Sequence, residues 1–251
     1  MKNMKEMNVK AFIDGKEFSA KELELWNVKR LRKACRTLKI KTSNSQDVLD
    51  IYQEVMNKKE KLTHDEMLKL LHKKLYVSRL IMKFASVLSG RHRRASQTTV
   101  FAEGITATKF SQMLDDLMLK PSKENRSVNL SANLEHYILN PVDGVLEVVE
   151  TTGNSPLPTQ FFITFHDERG IVEPVNKQFT HQSVGVAKLN DGTIIGGVRH
   201  QFRDTSSGIE CRLLVEFPAL CPKFLIKAHQ KHLAVEFTNW AKWIIANQDN
   251  H

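Results

Sequence analysis

Residues 208–247, GIECRLLVEFPALCPKFLIKAHQKHLAVEFTNWAKWIIAN, restrict the fold more than any other part of the chain. Cys211, Leu213, Val215 and Phe217 alternate with Arg212 and Glu216, the two-residue period of a strand with one buried face. Pro218 and Pro222 then stop ladder pairing, and Pro222 suits the first turn of a helix, where a missing N–H costs nothing. In the helix that follows, Ile226, Leu233, Phe237, Trp240 and Ile244 share a face, while Lys227, Lys231, Glu236 and Lys242 fall elsewhere. Such a helix needs a broad apolar surface to lie against.

The preceding residues supply one. Segments 98–102, 128–137, 145–150, 160–165, 179–188, 193–202 and 210–217 read as strands, with residues 107–119 as a short helix and 120–126 as a polar loop. The separators Pro141–Gly144, Asp167–Gly170, Asn190–Gly192 and Ser206–Gly208 have turn compositions. Gly196 and Gly197 inside a strand predict a bulge or bend.

The first part of the chain has a different texture. Residues 12–18 suggest a hairpin about Asp14 and Gly15. Three helices follow: one from Ala20 with apolar Leu23, Leu25, Val28, Leu31 and Cys35, one around Val48–Val55, and one opened by a Thr63/Glu66 capping box. The third carries Met67, Leu70, Leu71, Leu75, Leu80, Ile81, Phe84 and Leu88 before Gly90, and residues 91–94 read as a linker. The expected class is α+β, with a basic helical domain at 1–94 and a sheet domain at 95–251.

Charge is divided along the same line. Residues 1–96 hold 23 Lys+Arg against 11 Asp+Glu, and the remainder holds 14 against 17. The net +9 thus belongs to the helical part, a pattern suited to a polyanion partner or to a solvated surface. Lys29, Arg30, Arg32, Lys33, Arg36, Lys39 and Lys41, with Thr42, Ser43 and Asn44 in the following turn, are the candidate nucleic-acid contacts. Arg91, Arg93 and Arg94 form a second cluster. Stacking aromatics are scarce here, which predicts phosphate binding with little sequence preference.

Residues 27–53 resemble the SAP family of small nucleic-acid-binding modules: Leu31 and Cys35 stand at its apolar positions, Ile40 before the turn, Thr42 and Ser43 within it, and Leu49 in the second helix. Lys39 and Asn44 replace glycines usual in that family, and Gln46 replaces a usual lysine. An ordinary helical hairpin is the competing reading. Farther on, the element order and the strand–Pro–helix transition at 213–243 resemble a START-like, helix-grip domain, in which a curved sheet wraps the final helix. That resemblance implies a hydrophobic ligand between sheet and helix, with Phe161, Ile163, Phe237 and Trp240 as its lining. The order of parts also resembles RNA-binding proteins of large nucleus-forming bacteriophages.

Catalytic signals are weak. No G-x-S-x-G, P-loop, G-x-G-x-x-G or H-E-x-x-H pattern occurs. His229 and His232 are three apart with no third ligand nearby in sequence, so they read as exposed residues of a basic helix face. His166, Asp167 and Glu168 read as a charged turn. Three cysteines outside any C-x-x-C spacing fit reduced thiols. With no signal-peptide pattern and no run of about 18 apolar residues, the protein is expected to be intracellular, without a transmembrane segment. The expectation is a non-enzymatic nucleic-acid-binding protein without metal or cofactor, RNA slightly favoured over DNA. The alternative is a START-like carrier of a lipid or other hydrophobic ligand, its basic N-terminus drawn to an anionic membrane; a cyclase-like enzyme would require titratable groups converging inside the cavity.

Overall fold

A computed structural model describes residues 8–42 and 47–249. The chain begins with a hairpin, β1 (Val9–Ile13) and β2 (Lys16–Phe18), turning at Asp14 and Gly15, both with positive φ. Three helices follow: α1 (Ala20–Leu38), α2 (Val48–Lys61) and α3 (His64–Ser89). Side chains cap each start: Ser19 with Glu22 and Thr63 with Glu66 form capping boxes, and Asp47 accepts from the Leu49 N–H. Then come β3 (Arg93–Glu103), α4 (Ala107–Leu119), α5 (Lys123–Ala132), β4 (His136–Val142), β5 (Val145–Glu150), β6 (Thr159–Phe165), β7 (His181–Lys188), β8 (Ile194–Asp204), β9 (Gly208–Pro218) and α6 (Lys223–Asn247).

The strands form one antiparallel sheet in the order β2-β1-β3-β9-β8-β7-β6-β5-β4. On it lies α6, burying Leu233, Phe237, Trp240 and Ile244 in a core shared with α4 and the strands. The class is α+β, with a sheet on a long C-terminal helix consistent with a helix-grip-like fold. A second core joins Leu31, Cys35 and Leu38 of α1, Ile51 and Val55 of α2, and Met67, Leu71 and Leu75 of α3 to Tyr137, Ile138 and Val149 of β4 and β5. The alternation of β5 connects the two: Leu146, Val148 and Glu150 line a cavity beneath α6, while Val149 joins the helical core and Glu147 bonds His64 of α3 at 2.8 Å.

Three features differ from the sequence reading. Residues 128–137 are not one strand: Val128, Leu130 and Ala132 belong to α5, capped by Ser122, and the strand starts at His136. Helical burial against α4 and α6 outweighs what looks in sequence like alternation. Arg93 and Arg94 open β3 instead of lying in a linker, paired across from Pro218 and Phe217, so the 94/95 boundary falls inside a strand. Finally, only the first half of the α3 apolar set is covered. Met67, Leu71 and Leu75 are buried, whereas Leu80, Ile81, Phe84 and Leu88 are exposed.

The expected irregularity in β8 is present: its register against β7 shifts between Ala187 and Lys188. Gly196 has φ +148°, and a Cβ there would meet the Glu216 carbonyl oxygen at 1.8 Å, so only glycine lets these strands approach.

Candidate functional site

The basic residues of α1 divide by face. Leu31, Ala34, Cys35 and Leu38 are buried. Lys29, Arg32, Lys33 and Arg36, at the i, i+3, i+4, i+7 spacing of a single helical stripe, lie on the opposite side. Arg30 belongs to the inner face. It is buried, ion-paired through Nε with Glu135, and it donates from Nη1 to Asn154 Oδ1 at 2.8 Å. The expectation that Arg30 contacts nucleic acid therefore meets a side chain already used to tie α1 to the loop before β4. Arg93 and Arg94 are similarly engaged, donating to the Gly90 and Cys221 carbonyls respectively.

Lys29, Arg32, Arg36, Lys39 and Lys41 are exposed and form no ion pair among the described residues, and Thr42 is exposed next to Lys41 in sequence; Arg91, also exposed and without an ion pair among them, lies beyond the C-terminal end of α3. Ser43 and Asn44 lie outside the described residues. Sequence reasoning missed one member of this surface: Lys74 of α3. Half-burial and the adjacent Lys39 charge hold its ammonium below the usual range. The same holds for Lys33, lowered first by desolvation and then by Arg30, Lys74 and Arg36, against the raising effect of Glu135. Cations of two helices thus converge closely enough to oppose one another's charge. Lys33 reaches one neutral acceptor, the Pro156 carbonyl, at 2.7 Å.

A second site lies between the sheet and α6. Phe161, Ile163, Phe237 and Trp240 all line a cavity of about 150 Å³, together with Leu146, Val148 and Leu233. Into it project His136, Glu150 and Glu236. Here the sequence reading of α6 is corrected: His229 and His232 are not exposed but 4% and 2% accessible, and Glu236 is buried beside them. Besides packing on the sheet, α6 touches α1, α4 and α5, so little of its circumference faces water. The cost of burying polar groups is met by partners. His229 Nδ1 bonds Ser96 Oγ at 2.9 Å, and burial together with the His232 charge lowers its pKa to about 3. For His232, burial opposes protonation, but the Glu150 and Glu236 carboxylates dominate and raise its pKa to about 10.

The partners of His232 come from the sheet. His136 and Glu150 face each other across the β4–β5 ladder. A β-bulge after His136 places Tyr137 and Ile138 together in the helical core and turns both His136 and Leu139 toward the cavity. No sequence-local signal foretells this set, since about a hundred residues separate His136 from Glu236. The third sequence candidate, His166-Asp167-Glu168, is the charged turn expected: Arg169 holds Asp167, and Arg199 pairs with Glu168 at 2.7 Å. All three cysteines are buried and free. Among the described residues, no helix is long and apolar enough to cross a membrane.

No protein-family model matches the chain, and no curated protein matches it significantly.

Proposed function

We propose that the protein is a non-enzymatic nucleic-acid-binding protein, whose basic helical face holds the phosphate backbone of single-stranded RNA with low sequence specificity. The observation that carries this reading is the convergence of Lys33, Arg36 and Lys39 of α1 with Lys74 of α3, a group of cations whose mutual repulsion a polyanion would relieve. Lys29, Arg32, Lys41 and Thr42 extend the surface at both ends. Kinship with the SAP modules is part of the proposal, supported by Lys39: it caps α1 in the left-handed conformation, φ 57° and ψ 38°, at a position where that family has glycine. RNA is preferred to DNA on the likeness of overall plan to the phage RNA-binding proteins.

A second reading, a START-like carrier, rests on the apolar cavity beneath α6. Its volume limits the cargo. Sites for drug-sized ligands run to roughly 300–1,000 Å³, whereas about 150 Å³ holds a molecule of benzene size. A cavity of this size gives the carrier reading less support than the basic face gives nucleic-acid binding.

The test is binding of fluorescent single-stranded RNA and DNA at low ionic strength by the native chain and by the Arg32→Glu/Arg36→Glu/Lys39→Glu variant. The native chain should bind and the variant should not, with circular dichroism unchanged. Equal binding by both, or no binding by the native chain, refutes the proposal.

A further inference from the structure

The cluster of His136, Glu150, His232 and Glu236 has a geometry of its own. Their four ligand-type atoms lie within 4.8 Å of one another, and all four residues are buried. His136 Nε2 stands 3.1 Å from Glu236 Oε2, 3.3 Å from His232 Nε2 and 3.6 Å from Glu150 Oε2. His232 Nε2 is 3.3 Å from Glu236 Oε2 and 3.6 Å from Glu150 Oε2. An ion held tetrahedrally at about 2.0–2.2 Å from nitrogen and oxygen ligands separates those ligands by roughly 3.3–3.6 Å. These five distances match edges of that tetrahedron, one slightly short; the sixth, between the Glu150 and Glu236 carboxylates, lies within 4.8 Å, and the two must come to within about 3.6 Å of each other on an ion to close the figure. Octahedral coordination would instead require adjacent edges near 2.9 Å and opposite ligands about 4.2 Å apart.

Orientation agrees with distance. The Asn129 carbonyl, 2.8 Å from His136 Nδ1, can only accept, so Nδ1 carries a proton and Nε2 is the ring nitrogen left to face the cluster. Two imidazole nitrogens 3.3 Å apart thus stand against two carboxylates. In the ion-bound state two buried carboxylates, two neutral imidazoles and a divalent cation sum to zero charge, so no net charge is buried. The ligands come in two rigid pairs: His232 and Glu236 at i, i+4 on α6, and His136 and Glu150 opposite each other in the ladder.

We propose that His136, Glu150, His232 and Glu236 bind a divalent first-row transition-metal ion, zinc by ligand type and geometry, which clips α6 to strands β4 and β5. Four protein ligands fill a tetrahedron, so the site is structural in type. The proposal is independent of nucleic-acid binding.

Full-length protein stripped with EDTA and titrated with Co²⁺ should show the intense visible bands of tetrahedral cobalt, saturating near one ion per chain and displaced by Zn²⁺. The thermal midpoint should rise by several degrees with Zn²⁺. Glu150→Gln, which keeps the side-chain size and can still hydrogen-bond, should weaken Co²⁺ binding by about 100-fold, with circular dichroism unchanged. His232→Gln should abolish the visible bands. Native protein that gives no such spectrum, or a folded Glu150→Gln chain that binds Co²⁺ as tightly as the native one, overturns the proposal. Octahedral cobalt bands would overturn the assigned geometry.

Discussion

Arg30→Met separates the structural from the functional cations of α1. Arg30 and Glu135 are 6% and 1% accessible, and their ion pair is imperfectly satisfied: among the described residues, Arg30 Nη2 and Glu135 Oε1 have no hydrogen-bond partner. Removing one member of such a pair strands the other charge, at a cost of about 3–5 kcal/mol. A chain of this size loses roughly 2–4 °C of thermal midpoint per kcal/mol, so a fall of roughly 10 °C is expected. Replacing both partners by apolar residues removes the stranded charge, and Arg30→Met/Glu135→Leu should recover to within about 1 kcal/mol of the native chain. Urea unfolding of the four-member cycle measures this. The folded Arg30→Met protein should bind RNA within about twofold of native, because its guanidinium never faces the ligand. A single-variant cost below about 1 kcal/mol, or an RNA-affinity loss equal to that of Arg32→Met, would refute the reasoning.

Two further expectations concern pH. Burial lowers His200 to about 4 from 6.5, so its contribution to stability is complete above about pH 6.5 and is lost as pH falls toward 4. At about 1.4 kcal/mol per unit this amounts to roughly 3 kcal/mol; His200→Leu should flatten the urea-midpoint profile in that window, and an unchanged slope would contradict it. Lys59, fully buried, donates to the Leu130 and Asn133 carbonyls at 2.8 and 3.2 Å, and burial lowers it to about 7. The unfolded chain binds the extra proton between about 7 and 10.5, so the native protein gains stability as pH rises through that range. The cost of Lys59→Met should accordingly be larger at pH 9 than at pH 6; a cost that does not grow would contradict the burial argument.

Much of this architecture was legible because its signals are local. Residues 107–119 and 145–150 occupy the helix and strand read from their periodicity, and the Thr63/Glu66 pair opens α3 as its capping pattern implies. Residues 128–137 mislead because Val128, Leu130 and Ala132 alternate like a strand, although they lie in the helix whose start Ser122 caps by accepting from the Asn125 N–H. The sites were less legible. A run such as Lys29-Arg30-Leu31-Arg32-Lys33 does not say which cation turns inward, since the acceptor is Glu135, more than a hundred residues away. For the same reason His232 looked solvent-facing: its histidine and glutamate partners are brought to it by the sheet, and the bulge that aims His136 leaves no mark on composition.

The most direct test of the central claim is the salt dependence of RNA binding. For single strands the slope of log K against log salt is about −0.7 per phosphate neutralised. Replacing Arg32, Arg36 and Lys39 by glutamine, on an exposed stripe that pairs with no acid among the described residues, should reduce the slope by about 2. The same measurement on Arg30→Met should leave the slope unchanged. A triple variant whose slope equals that of the native protein would contradict the claim that this face holds the nucleic acid.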